Sequence, residues 1–304
     1  MVEYKKLNVA GKLIYINVVV FIITQVYHLF LTLFCVYGYN WQEYLALHSD
    51  LSYFLFTPWT LLSYFFTHAD LGVDIFHIVF NMLWLWWFGN YFLRYHTNRQ
   101  LLSLYLLGGL FAGLVFLFVY NVFPYFMYDR NNTMLVGASG AIFAVIVATG
   151  MRSPNDVLYL NFFVKIVPVK MKWIAASAIA INLLSLPNSY NVGGIVCHLG
   201  GALFGFLYSY YEMKGINIAR WFEQFCDKLV NAFKPTKNRM KVSRGGARTV
   251  NADKRKDMDY NTQQKQHQAK IDAILDKISK SGYDGLSAEE KQLLFDASQR
   301  KKKS

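Results

Sequence analysis

Three cysteines in 304 residues, Cys35, Cys197 and Cys226, are too few and too far apart for a disulfide framework or a zinc-binding spacing. No metal or cofactor is expected. A cleavable signal peptide is also missing: the first apolar run, Leu13 to Val36, is longer than a signal core and ends without a small-residue cleavage pattern. It reads as a retained membrane span. Acidic residues number 19 against 31 Lys and Arg, and none lies inside the later apolar runs, which argues against an ion-coupled transporter. The net charge of +12 would suit a nucleic-acid partner by charge alone, but no aromatic interleaving or binding motif accompanies it, so none is expected.

What is present is grease, 54% hydrophobic and 17% aromatic, kept apart from the basic residues. A membrane helix needs about 20 mainly apolar residues. Six runs qualify: Leu13 to Val36, Ile75 to Leu93, Leu101 to Phe123, Leu135 to Gly150, Trp173 to Leu186 and Gly193 to Tyr211. The fifth is short and is extended by Lys172 or by Ile166 to Val169. The fourth is short too, which places its first residues below the bilayer surface in a protein-lined cavity. The expected fold is therefore an all-α membrane protein, a six-helix bundle with a basic cytoplasmic C-terminal tail.

Ten basic residues precede Lys214, and in the six-span arrangement all but Arg130 fall on the side that holds both termini. The positive-inside rule makes that side cytoplasmic. Ser139, at the start of the fourth run, and His198, early in the sixth, then both enter from the opposite side and lie at similar depth. The outer loop 38–74 is rich in Trp, Tyr, Phe and Leu and is expected to rest at the membrane interface. His77 and Asn81, four residues apart in the second run, share a helical face. Trp84, Trp86, Trp87 and Phe88 read as bulky packing.

Small residues recur every four positions in two runs: Gly140, Ala144 and Ala148 in the fourth, Gly201 and Gly205 in the sixth. Such faces let helix backbones approach closely. If these two meet, Ser139 and His198 come together. Singly, each polar residue has an ordinary alternative, a packing serine or an interhelical hydrogen-bond partner. Jointly, Ser139, His198, His77 and Asn81 at one depth call for a common reason.

The combination of Gly137-Ala138-Ser139-Gly140, His77-x-x-x-Asn81 and His198-x-Gly200-Gly201-x-x-x-Gly205 resembles the rhomboid family of intramembrane serine proteases, over roughly residues 13 to 213. Phe66-Thr67-His68-Ala69 also resembles the family's first-loop region. Two positions depart from the pattern: Trp59-Thr60 stands where many members have Trp-Arg, and Cys197 where Ala is common. The resemblance implies a rhomboid-like bundle that cuts single-span or multi-span membrane proteins in or near a transmembrane segment. Ser139 would be the nucleophile and His198 the general base. With no carboxylate in the spans this would be a dyad, its histidine oriented by packing. The backbone N–H groups of Ala138 and Ser139, with the side chains of His77 and Asn81, would form the oxyanion hole. Gly137, Gly140, Gly201 and Gly205 would allow close packing. In the family the fifth span and the loop before the sixth are proposed to move for access, and Pro187, Asn188, Gly193 and Gly194 fit either that or a plain turn. The alternatives are an inactive relative that binds membrane clients, or a transporter.

Five regions follow: a cytoplasmic segment 1–12, the membrane core 13–213, an amphipathic juxtamembrane helix 214–235, a basic flexible linker 236–265 and a helical hairpin 266–304. In the juxtamembrane helix Ile218, Trp221, Phe222, Phe225, Leu229 and Phe233 recur at helical spacing, with basic residues on other faces, as for a helix lying on anionic lipid. In the hairpin, Ile271, Ile274, Leu275 and Ile278 mark one helix, and Ser287-x-x-Glu290 resembles a capping box opening a second. The lack of a transit peptide points to a bacterial inner membrane.

Overall fold

An apolar run in lipid must satisfy its own backbone, and the α-helix does so within one segment. The computed structural model describes residues 4–36, 42–69, 71–161, 166–186, 191–233, 269–279, 282 and 285–301. Its long apolar runs form helices α1 (Val9–Leu33), α2 (Leu71–Phe92), α3 (Asn98–Val122), α4 (Ser139–Arg152), α5 (Met171–Ser185) and α6 (Val192–Met213). By length and composition α1, α3 and α6 can each cross a membrane, and α4 and α5 are shorter apolar helices. The chain thus has membrane-protein character.

Side chains of the sequence set where these helices begin. Asn8 Oδ1 accepts from the Gly11 N–H at 2.9 Å to open α1. Thr97 and Gln100 form a reciprocal capping box at α3, and Asn191 Oδ1 accepts from the Gly194 N–H at 3.0 Å at α6. By contrast α4 starts behind Ala138 with no side-chain cap. This helix is the hub of the bundle, packed by α2, α3, α5 and α6. Every residue from Gly140 to Gly150 is buried except Phe143. Its 14 residues span about 21 Å, short of the roughly 30 Å of a hydrocarbon core.

Contact between α4 and α6 is backbone to backbone. A Cβ on Gly201 would lie 1.9 Å from the Gly140 carbonyl oxygen, and one on Gly205 would lie 2.2 Å from that of Ala144. Gly140 faces Cys197 in turn, with 2.5 Å from its own missing Cβ position to Sγ.

The fold is mostly helical, as expected, and two short antiparallel ladders join it: β1 (Leu47–His48) with β2 (Met134–Leu135), and β3 (Val157–Asn161) with β4 (Ile166–Lys170). Leu135 and Val136 therefore precede the fourth helix instead of opening it, since Leu135 pairs with Leu47 and Gly137 turns the chain at φ +123°. Residues 166–169 likewise form a strand and do not extend α5. The outer loop does not simply rest at an interface either. Leu47, Tyr64 and Phe65 are fully buried while Phe56 is 83% exposed, so the loop divides between the core and the outside. Tyr64 Oη donates to the Gly109 carbonyl at 2.6 Å, and Trp59 Nε1 to that of Tyr44 at 2.8 Å. Thr60, in the position of the absent arginine, is buried and donates to the Thr57 carbonyl at 2.6 Å.

On the face bearing β3 and β4, the Tyr91 and Tyr95 hydroxyls donate to Asp156 Oδ2 at 2.5 and 2.8 Å. The Asp156 carbonyl accepts from the Met171 N–H at 2.9 Å, tying the first turn of α5 to the end of α2. After α6, helix α7 (Arg220–Phe233) leaves Trp221, Phe225, Leu229 and Val230 exposed, while Arg99 pairs with Asp227 at 3.0 Å. A separate unit, 235–304, contains a helix at 269–279 and α8 (Ala288–Lys301). Ser287 and Glu290 cap each other there, at 3.3 Å to Ser287 Oγ and 2.7 Å to Glu290 Oε2. The linker 236–265, Pro187 and Asn188 lie outside the described residues.

Gly201→Ala places a methyl against a backbone oxygen that cannot yield, and overpacking of this kind costs about 1–3 kcal/mol or more. A clear drop in the thermal midpoint of detergent-solubilised protein is expected; an unchanged midpoint would refute the contact. For Asp156, the hydrogen bond from Tyr91 and then that from Tyr95 hold the carboxyl below its usual range. A depressed carboxyl stabilises above its unfolded pKa and loses that contribution as pH falls through the folded value. Thermal midpoints should therefore decline below about pH 4, with a shallower decline in Asp156→Asn.

Candidate active site

Helices α2, α4 and α6 and the chain leading into α4 enclose a cavity of about 650 Å³. Its lining includes Ser139, His198, His77, Asn81, Phe143 and Trp84, with no Asp, Glu, Lys or Arg among the described residues. Ser139 reaches it as the first residue of α4, directly after the turn at Gly137, whose N–H donates to the Tyr64 carbonyl at 2.9 Å. His198 reaches it from the second turn of α6, brought alongside by the Gly140–Gly201 approach.

The two meet: His198 Nε2 and Ser139 Oγ are 2.7 Å apart. On its other side His198 Nδ1 lies 2.8 Å from Asn182 Oδ1 of α5. The imidazole stacks on Phe143, centroids 4.4 Å apart and planes 3° from parallel. Packing by Phe143 thus orients the ring, but not alone. Asn182 and Phe143 are absent from the residues picked out of the sequence. Asn182 carries a signal, an amide in an otherwise apolar run, and Phe143 carries a spacing, four residues after Ser139 on the same helical face.

Groups able to donate lie near the start of α4 and along the cavity. The first N–H groups of a helix have no intrahelical acceptor, and α4 has no side-chain cap, so those of Ala138 and Ser139 stand at an open helix start. Asn81 lines the cavity, and its buried Nδ2 has no hydrogen-bond partner among the described residues. Gly137 does two things. Its φ of +123° disfavours any side chain, and the point a Cβ would occupy is 2.8 Å from His77 Nε2 and 3.8 Å from Ser139 Oγ. The missing side chain therefore leaves open the gap between imidazole and hydroxyl. His68 lies fully buried behind His77, ring to ring at 5.6 Å and near perpendicular. No cluster of three or more potential metal ligands occurs among the described residues.

A sequence model described as the Rhomboid domain matches residues 56–215, which takes in the cavity and helices α2 to α6. A second, described as a family of unknown function, matches residues 254–300. The chain is also 33% identical over 153 residues to RHOMBOID-like protein 12, mitochondrial, of Arabidopsis thaliana, a match covering 47% of this chain and 43% of that relative. The match thus spans less than half of the relative's length.

Gly137→Ala would force a side chain into a left-handed backbone conformation and onto His77. Strain of this type costs about 1–3 kcal/mol, and the variant is expected to melt at a lower temperature than wild type. A midpoint equal to wild type would show that the turn relaxes without loss.

Proposed function

We propose, from the premise that the chain belongs to the rhomboid family, that it is an intramembrane serine endopeptidase with Ser139 as nucleophile and His198 as general base. The observation that carries this reading is the 2.7 Å pairing of Ser139 Oγ with His198 Nε2 on the wall of a cavity. Serine is a weak nucleophile until a base within hydrogen-bond reach removes its proton as it attacks.

In the first half-reaction Ser139 Oγ bonds to the scissile carbonyl carbon while its proton passes to His198 Nε2. Charge developing on the carbonyl oxygen is met by the N–H groups of Ala138 and Ser139, by Asn81 Nδ2 and by His77 across the gap that Gly137 leaves. Donors already aimed at that charge need no reorganisation as it forms. The imidazolium then gives its proton to the departing amine, leaving an ester on Ser139. Water, deprotonated by the same histidine, hydrolyses the ester and returns the enzyme to its starting state.

The substrate is a single-span or multi-span membrane protein. A peptide bond inside a helix has its carbonyl engaged, so the cut segment must unwind into an extended form in the cavity. The bundle crosses the bilayer six times with both termini on the cytoplasmic side, a reading supported by the basic residues crowding those loops. The exposed aromatic and aliphatic side chains of α7, beside basic residues, suit contact with anionic lipid.

Purified protein incubated with a single-span substrate in detergent or vesicles is expected to cleave it, and Ser139→Ala and His198→Ala are expected to abolish cleavage. Cleavage that survives Ser139→Ala would sink the mechanism. Asn81→Ala should lower kcat by about 100- to 1,000-fold, the usual effect of losing one oxyanion donor, with little change in thermal midpoint. A collapse of folding instead would mark Asn81 as structural.

A further inference from the structure

Asn182 makes two hydrogen bonds, and together they fix which way its amide faces. Nδ2 donates to the Ala178 carbonyl one turn back on α5 at 2.8 Å. The amide oxygen is thereby left pointing at His198 Nδ1, 2.8 Å away. An amide oxygen only accepts, so the hydrogen between them belongs to Nδ1. A neutral imidazole carries one N–H. Nε2 is then the lone-pair nitrogen, the one 2.7 Å from the Ser139 hydroxyl. In the opposite tautomer Nε2 would present a hydrogen to Ser139 and could not take its proton, while Nδ1 would set a lone pair against the amide oxygen.

We infer that Asn182 is the positioning residue of a Ser139–His198–Asn182 triad, holding the imidazole in the tautomer that accepts the serine proton. The inference rests on the protease reading for its kinetic consequences, though not for the tautomer itself. Phe143 fixes the plane of the ring by stacking but has no atom that selects a tautomer. Among the described residues the cavity lining offers no Asp, Glu, Lys or Arg that could do so, and His77 is the other titratable group among them.

The location of Asn182 adds a consequence. The buried residues of α5 are Met171, Ile174 and Ala175, all near its first turns, where backbone bonds to Asp156 and Pro154 anchor it. Farther along, Ile181, Leu183 and Leu184 are exposed. In that outer half Asn182 hydrogen-bonds the catalytic base, so competence of the base depends on α5 being docked beside α6.

The test uses full-length protein with Asn182→Leu, which keeps the size and removes the acceptor, and Asn182→Asp, which restores an acceptor. Substrate cleavage, fluorophosphonate labelling of Ser139 and histidine ¹⁵N spectra are measured, with the His198 signal assigned by its loss in His198→Ala. For Asn182→Leu, kcat should fall about 10- to 100-fold, as for losing a hydrogen bond to a group that becomes charged, with KM within about twofold of wild type. Asn182→Asp should recover most of the rate. The spectrum should show the Nδ1–H tautomer in wild type and a mixture in Asn182→Leu. Three results would overturn the inference: wild-type kcat in Asn182→Leu, an unchanged tautomer in that variant, or equal losses in both variants. Should Asn182→Leu not fold, a folded Asn182→Asp that loses labelling or the Nδ1–H form overturns it, and one that keeps both supports it. If wild-type protein neither cleaves nor labels, the protease reading fails by itself and the tautomer spectra still decide the role of Asn182.

Discussion

Where Gly201 and Gly205 of α6 meet α4, backbone lies against backbone. The Gly140 and Ala144 carbonyl oxygens occupy the space that Cβ atoms on Gly201 and Gly205 would need. Contact this close fixes the sliding and rotation of one helix against the other, because any offset brings a bulkier residue into the seam. Inside a bilayer such packing also has to supply much of the driving force, since lipid tails solvate apolar side chains as well as a protein neighbour does. The Ser139–His198 distance is one reading of that seam: Gly140 follows the serine directly, and Gly201 lies one turn beyond the histidine.

From this seam the rest of the site is built outward. α3 backs it through Ala112, whose Cβ is 3.0 Å from the Cβ point of Gly140. Tyr64 connects the outer loop to the seam, bonding to Gly109 and lying 3.6 Å from Cys197 Sγ. Cys197 thus serves as a small apolar filler against Gly140. The short length of α4 completes the geometry. At 14 residues the helix is shorter than a bilayer's hydrocarbon core requires, and its first residue, Ser139, lines the cavity.

Much of this was legible because membrane helices obey few rules strictly. Apolar runs located the helices, and the four-residue spacing of glycine and alanine identified the faces of α4 and α6 that meet. What stayed hidden depends on tertiary partners. Leu135 reads as helix because it opens an apolar run, and it is strand because Leu47 lies beside it. Tyr64 and Phe65 look like interfacial aromatics by type, and only the hole between α3 and the loop makes them core. Asn182 is one amide in a run called apolar by its average, and nothing local says that its face is the one turned to His198.

An amide in the third position also fits the setting physically. A carboxylate next to His198 would stabilise an imidazolium more strongly, but with the imidazole neutral it would be an unpaired buried charge beside a cavity that has no Lys or Arg among its described lining residues. Such a charge costs far more than a hydrogen-bonded dipole of the same shape. Asn182 avoids that cost because its second polar group is already satisfied by Ala178. If the proposed mechanism holds, what it gives up is electrostatic assistance at the moment the proton moves, and the transition state would depend more heavily on the proposed oxyanion donors around Gly137. On the proposed reading, a neutral Ser139–His198–Asn182 set drawn from α4, α5 and α6 is then a consistent solution: charge would appear in the site only during the reaction, beside an α4 start that carries no side-chain cap.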